Sequence, residues 1–192
     1  MSQPKILAFA GSTRQGSFNK QLVRIAAKGA EKAGAQVTVI DLRDYPLPLF
    51  DEDDEAASGM PEQGKALKRL MIEHDGVLIS APEYNSSITA VLKNAIDWVS
   101  RREGNEAPLV AFRGKGAALM SASPGALGGL RGLVHVRSIL GNIGVIVLPD
   151  QVAVPKAADA FTADGELKDA ALQGKVEGLG SGLASFLAKW KG

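Results

Sequence analysis

Apolar residues along this chain fall either into short solid runs or into stretches where they recur every three or four positions. The runs are 5–10 (KILAFA), 36–42 (QVTVIDL), 76–81 (GVLISA), 116–122 (GAALMSA) and 145–148. All read as strands, and the wholly apolar run 76–81 is what a parallel strand buried on both faces is expected to show. Helical patterns lie between them. One spans 17–33, with Phe18, Leu22, Ile25, Ala26 and Ala33 on one face and Gly34 as a stop. A second spans 61–73, with Pro61 suited to the first turn. A third carries Ile88, Val91, Leu92, Ala95, Ile96 and Val99; a fourth covers 130–140 and a last one 167–189.

Strands alternating with helices, with no repeats, predict an α/β protein. Five short strands fit a flavodoxin-like, three-layer, doubly wound parallel sheet in the order 2-1-3-4-5. Right-handed crossovers put every strand-to-helix loop at one edge, and ligands bind where the strand order reverses, between strands one and three. The loops after strands one, three and four are therefore the expected functional ones. They are also the most polar and glycine-rich turns in the chain.

The remaining connections read as irregular. Pro46 and Pro48 argue against a helix in 43–59, and its acidic run 51–55 reads as a solvated loop, without the alternation of a calcium site. Residues 82–87 read as a polar turn in which Asn85, Ser86 or Ser87 caps the third helix. A loop with a brief extended piece at 109–112 covers 101–114, and 149–161 reads as a proline-punctuated loop. Gly174, Gly178, Gly180 and Gly182 count against a regular final helix.

Composition narrows the function. At 192 residues and 45% hydrophobic content, residues 1–192 form one domain with ample core. Lys and Arg total 22 against 21 Asp and Glu, which argues against a nucleic-acid partner. The absence of cysteine excludes disulfides, thiolate nucleophiles and cysteine metal sites, and two histidines cannot build a three-histidine zinc centre. The opening apolar run is too short for a signal peptide or a membrane span, so a soluble, cytoplasmic protein is expected.

The chemistry concentrates in 11–19, GSTRQGSFN, between the first strand and first helix. Ser12, Thr13, Arg14, Ser17 and Asn19 there surround a helix N-terminus, a natural anion site. The spacing Gly11 to Gly16 mimics a P-loop, but Ser17 stands where the lysine belongs, and the dinucleotide pattern GxGxxG is absent. Asp41, at the end of the second strand, is a weak candidate for holding a ribose. A helix dipole adds ~0.3–1 kcal/mol to charge-assisted hydrogen bonds of ~1.5–3 kcal/mol each. Such a cradle supplies much of the about 8 kcal/mol of micromolar binding, without specificity. Pro82-Glu83-Tyr84-Asn85 offers the second surface, an aromatic ring and backbone N–H groups suited to a planar heterocycle. The two loops together indicate a mononucleotide cofactor.

GSTRQGSFN, LPLFDED, PEYNSSITAVLKNAIDW and SASPGALGGLR, in that order, resemble the NADPH-dependent FMN reductase family of flavin, quinone, azo-dye and chromate reductases. The likeness runs from the first strand to about Leu148. It implies that Ser12, Arg14, Ser17 and Asn19 bind the FMN phosphate. Pro82, Glu83, Tyr84 and Asn85 would line the isoalloxazine ring, largely through main chain, and Ser121, Ser123, Gly125 and Gly128 would close the other side. Arg101 resembles a position near the substrate. The resemblance implies hydride transfer from NADPH or NADH to flavin and on to a small-molecule electron acceptor, with no catalytic side-chain acid or base. It also implies a homodimer or homotetramer. A flavodoxin-type electron carrier is the competing reading; the near-neutral charge disfavours it, because such carriers are acidic. His74, His135, Trp98 and Trp190 read as packing or surface residues, and no GxSxG elbow supports a serine hydrolase.

Overall fold

The structure, a computed structural model, describes residues 3–190. The first half runs β1 (Lys5–Ala10), α1 (Phe18–Lys32), β2 (Gln36–Val39), α2 (Glu52–Ser58), α3 (Glu62–Glu73), β3 (Gly76–Ser80), β4 (Glu83–Tyr84) and β5 (Ser87–Ile88). The second runs α4 (Ala90–Ser100), β6 (Gly116–Ala122), α5 (Leu130–Asn142), β7 (Ile146–Val154), α6 (Ala157–Ala160) and α7 (Ala170–Trp190). Five strands form one parallel sheet in the order β2-β1-β3-β6-β7, the order expected from the alternation of strands and helices.

Alternate residues of the central strands feed two separate cores. Ile6, Ala8, Leu78, Ala118 and Met120 pack beneath α1 and α7, with Leu22, Ile25, Val176 and Leu183. Leu7, Phe9, Val77, Ile79 and Leu119 pack beneath α3, α4 and α5, with Leu67, Leu92, Ile96 and Leu133. Both faces of the central strands are thus apolar, which is why their sequences show no alternation.

Several connections differ from the sequence expectation. The acidic run is the start of α2: the Asp51 carboxylate accepts from the N–H groups of Asp53 and Asp54. The prolines end at Pro48, and carboxylates suit the positive end of a helix. Residues 82–87 contain a β-hairpin rather than a simple turn, and Thr89 caps α4, accepting from Leu92 N–H. Residues 109–112 form turns, not an extended piece, with Leu109 at φ 58°. The last strand runs on through Pro149 to Val154, with a bulge between its Ile146–Val147 and Gln151–Val154 pairings. An edge strand tolerates such a proline, and the Arg137 guanidinium donates to the bulge carbonyls of Val147, Leu148 and Pro149.

The glycine-containing final helix is unbroken over 21 residues. A Cβ on Gly180 would fall 1.8 Å from Ala26 O, and one on Gly29 would fall 2.0 Å from Glu177 O. These two glycines bring the backbones of α1 and α7 together.

Candidate functional site

The first loop is pinned at its entrance. Gly11 N–H donates to Ser80 O at 2.9 Å, and Gly11 O accepts from Thr89 Oγ1 at 2.6 Å. A Cβ on Gly11 would sit 2.9 Å from Leu92. The loop ends at Ser17, the N-cap of α1, whose hydroxyl makes no capping bond, and no acidic residue occupies the first turn. Lys20 N–H donates to Ser17 O at 3.0 Å, and the N–H groups of Phe18 and Asn19 ahead of it are left to an external anion. Arg14 is exposed and has no ion-pair partner among the described residues. Its guanidinium lies 5.4 Å over the Phe18 ring, which stacks on Phe161 at 5.6 Å. An attraction of about 0.5–1 kcal/mol at such an exposed site favours this placement.

Asn19 has a different geometry. It is buried, and its Oδ1 accepts from Ser80 Oγ at 2.8 Å and Ala122 N–H at 2.9 Å while its Nδ2 donates to Ala122 O at 2.8 Å. The side chain fastens α1 to the C-terminal ends of β3 and β6.

The third-strand loop is a two-residue hairpin. Asn85 (φ 50°) and Ser86 (φ 67°) are both left-handed, as a type I′ turn requires. Tyr84 is 63% exposed, leaving its ring free to cover a ligand. The Glu83 carboxylate turns to α5. It accepts from Arg131 Nε at 2.9 Å, Nη2 at 2.5 Å and N–H at 3.0 Å, and from Gly132 N–H at 3.2 Å. Burial pushes this carboxyl up, but the Arg131 guanidinium and the two backbone N–H groups outweigh it and hold Glu83 below the ordinary glutamate range. Glu83 therefore caps α5 from another element. His135 Nδ1 shares a hydrogen bond of 2.9 Å with Ser87 Oγ on the same flank.

These loops enclose a cleft of about 260 Å³. Ser12, Arg14, Ser17, Asn19, Pro82, Glu83, Tyr84 and Ser123 line it, joined by Phe18, Ala122 and Pro124. The other expected residues stand back from it. Asn85 is at the hairpin tip, and Gly125 N–H bonds Ser123 Oγ in the exit turn. Gly128 packs on Val154 and Pro155. Ser121 is fully buried, its hydroxyl without a hydrogen-bond partner among the described residues, beneath Gly129, where a Cβ would meet its Oγ at 1.9 Å. Arg101 lines a separate hollow, where Nη2 pairs with Glu55 at 2.7 Å and the guanidinium lies over Phe50. Sequence reasoning passed over Phe18, whose helical spacing marks it as a core residue.

Residues 4–159 match the family described as NADPH-dependent FMN reductase. The chain belongs to that family. Among FMN reductase relatives, an NAD(P)H-dependent FMN reductase of Pseudomonas aeruginosa is 36% identical over 166 residues, covering 86% of this chain and 85% of its own. A quinone reductase of Escherichia coli is 35% identical over 144 residues, covering 75% and 73%. An NAD(P)H:(acceptor) oxidoreductase flavoenzyme of Paracoccus denitrificans superposes with a TM-score of 0.80 at 28% identity, covering 97% of this chain and 98% of its own.

A reductase of this family has to seat a phosphate dianion beside a flat tricyclic ring. The donor set fits that demand. One end of the cleft has a guanidinium with no ion-pair partner among the described residues, two hydroxyls and an uncapped helix N-terminus, and the other has Pro82, Tyr84, Ala122 and Pro124 as an apolar wall. No helix among the described residues is long and apolar enough to cross a membrane, and no cluster of three metal-ligating side chains occurs among them.

Proposed function

We propose that this NAD(P)H-dependent oxidoreductase holds FMN in the cleft and reduces quinones or free flavins there. The observation that carries the reading is Arg14, without an ion-pair partner among the described residues and held over Phe18 beside the uncapped start of α1, in one cleft with the apolar wall made by Pro82 and Tyr84. In this reading Arg14, Ser12, Ser17 and the α1 N–H groups bind the phosphate. Pro82, Tyr84 and Ser123 flank the ring, with Asn85, Gly125 and Gly128 shaping the loops behind. Asn19 and Glu83 position rather than contact, one fixing the ends of β3 and β6 and the other fixing the hairpin on α5. Bound FMN supplies the redox chemistry, a two-electron relay from nicotinamide to acceptor. The balanced reaction is NAD(P)H plus a proton plus quinone giving NAD(P)⁺ plus hydroquinone, so no side chain must act as acid or base on the donor side.

Residues 1–192 act as one domain in this proposal, supported by the single continuous sheet. We read the protein as a cytoplasmic homo-oligomer. Tyr84, Leu127, Leu130 and Val134 are large apolar residues left exposed beside the cleft, as a face covered by a second copy would be. The test is titration of the purified protein with FMN, followed by mixing with NADPH and a quinone. Flavin binding with prompt bleaching and turnover is expected. Arg14→Ala should raise the FMN Kd at least tenfold, and an unchanged Kd would move the phosphate elsewhere.

A further inference from the structure

A second concavity, of about 410 Å³, lies on the same sheet edge, on the far flank of α1. Lys20 and Arg24 from α1, Val39 and Asp41 from the end of β2, and Asp44 and Tyr45 from the following turn line it. Asp41 is already engaged, accepting from Lys20 Nζ at 2.5 Å and from Arg43 N–H at 3.0 Å. The Arg24 guanidinium and the Asp44 carboxylate are exposed and have no ion-pair partner among the described residues. Val39 is 42% exposed, an apolar surface beside the half-buried Tyr45 ring.

Tyr45 also lines a neighbouring hollow. That hollow is smaller, about 210 Å³, and Thr13 and Arg43 line it as well. Tyr45 belongs to both the basin and the hollow, while Thr13 stands between Ser12 and Arg14 of the cleft. Along the edge, β2 and the β3–β6 junction are two to three strand spacings apart, about 10–15 Å. A dinucleotide, with two nucleosides joined by a pyrophosphate, covers such a distance. The parts meet its chemistry in order: Arg43 for the pyrophosphate, Tyr45 and Val39 for a base, Asp44 for ribose hydroxyls, Arg24 for a terminal phosphate.

We propose that the basin receives the adenosine end of NADPH, with Arg24 as the residue that binds the 2′-phosphate and favours NADPH over NADH. The inference rests on the hydride-donor reading above. Arginine suits the role because its planar fork pairs two phosphate oxygens at once.

The experiment uses the FMN-loaded protein and titration calorimetry with 2′,5′-ADP, 5′-AMP and inorganic phosphate, beside steady-state kinetics with both nicotinamides. Wild type should bind 2′,5′-ADP more tightly than 5′-AMP or phosphate, and 2′,5′-ADP should compete with NADPH. Arg24→Ala should weaken 2′,5′-ADP at least fivefold and raise the NADPH KM by a similar factor, leaving the NADH KM within twofold. Arg24→Lys should recover part of both. Equal effects on NADPH and NADH, no effect on either, or equal competition by phosphate would overturn the inference. NADPH oxidation by a wild-type protein that ignores 2′,5′-ADP would overturn it too, while leaving the hydride-donor reading intact. Oxidation of neither nicotinamide would overturn both.

Discussion

Asn19 shows how much a single side chain in the cleft contributes before any ligand arrives. Its amide satisfies the Ser80 hydroxyl and both backbone groups of Ala122, all in the buried layer between α1 and the sheet. Leaving a buried donor or acceptor unpaired costs about 1–3 kcal/mol. Asn19→Ala strands three such groups, so the FMN-free protein should lose about 3 kcal/mol or more, read from the urea midpoint. A stable apo variant with only flavin affinity reduced would instead return Asn19 to the phosphate. From the sequence Asn19 and Arg14 look alike, two polar residues in one loop. Contact separates them: the guanidinium has no ion-pair partner among the described residues, whereas the amide is committed to the Ser80 hydroxyl and the Ala122 backbone.

At the scale of elements, the start of α5 depends on a residue 47 positions before it. Gly129 at its N-cap has no side chain to offer, and φ there is 90°. The Glu83 carboxylate fills the gap and in doing so ties the β4–β5 hairpin to the helix. The folded-state pKa of Glu83 is depressed. Its contribution is therefore present above the unfolded value of about 4.3 and is lost as pH falls through the lower folded value. Wild type should lose more stability between pH 7 and pH 3 than Glu83→Gln does, measured as urea midpoints across that range. Parallel midpoint curves would remove Glu83 as the cap. Local patterns located the five strands of the main sheet and the main helices, but they left α6 and the part of β7 beyond Leu148 in a loop and missed the hairpin and α2. Both are short, and both are set by turn and cap geometry at Asn85, Ser86 and Asp51, with little apolar periodicity to mark them.

Across the whole molecule, the close approach of α1 and α7 closes one of the two cores. The glycines of the last helix read locally as helix-weakening, and their effect in the fold is the reverse. Gly180 lies against Ala26 O, so any side chain there must push two helices apart. Overpacking costs about 1–3 kcal/mol when side chains can adjust, and backbone adjusts less. Gly180→Val should destabilise by at least about 3 kcal/mol, whereas Gly178→Ala, with nothing near its Cβ, should be neutral or stabilising. Equal stability of the two variants would mean that the helix contact is not tight.

The sequence by itself determined the sheet order, the edge at which the cleft opens and most of the cleft's lining. Solid apolar runs, helical periods and the GSTRQGSFN and PEYN turns are local signals, and right-handed crossovers convert them into one topology. Tertiary structure alone decided which polar residues of those turns remain available. Arg14 is exposed and Ser17, though buried, makes no capping bond, Asn19 and Glu83 are spent on β6 and α5, Ser121 is sealed under Gly129, and Arg101 is paired with Glu55 in another hollow. It also set Arg24, Asp44 and Tyr45 around one basin from separate segments of the chain. A hydrogen bond or an ion pair depends on distance in space, and distance between segments far apart in sequence is fixed only when the cores close.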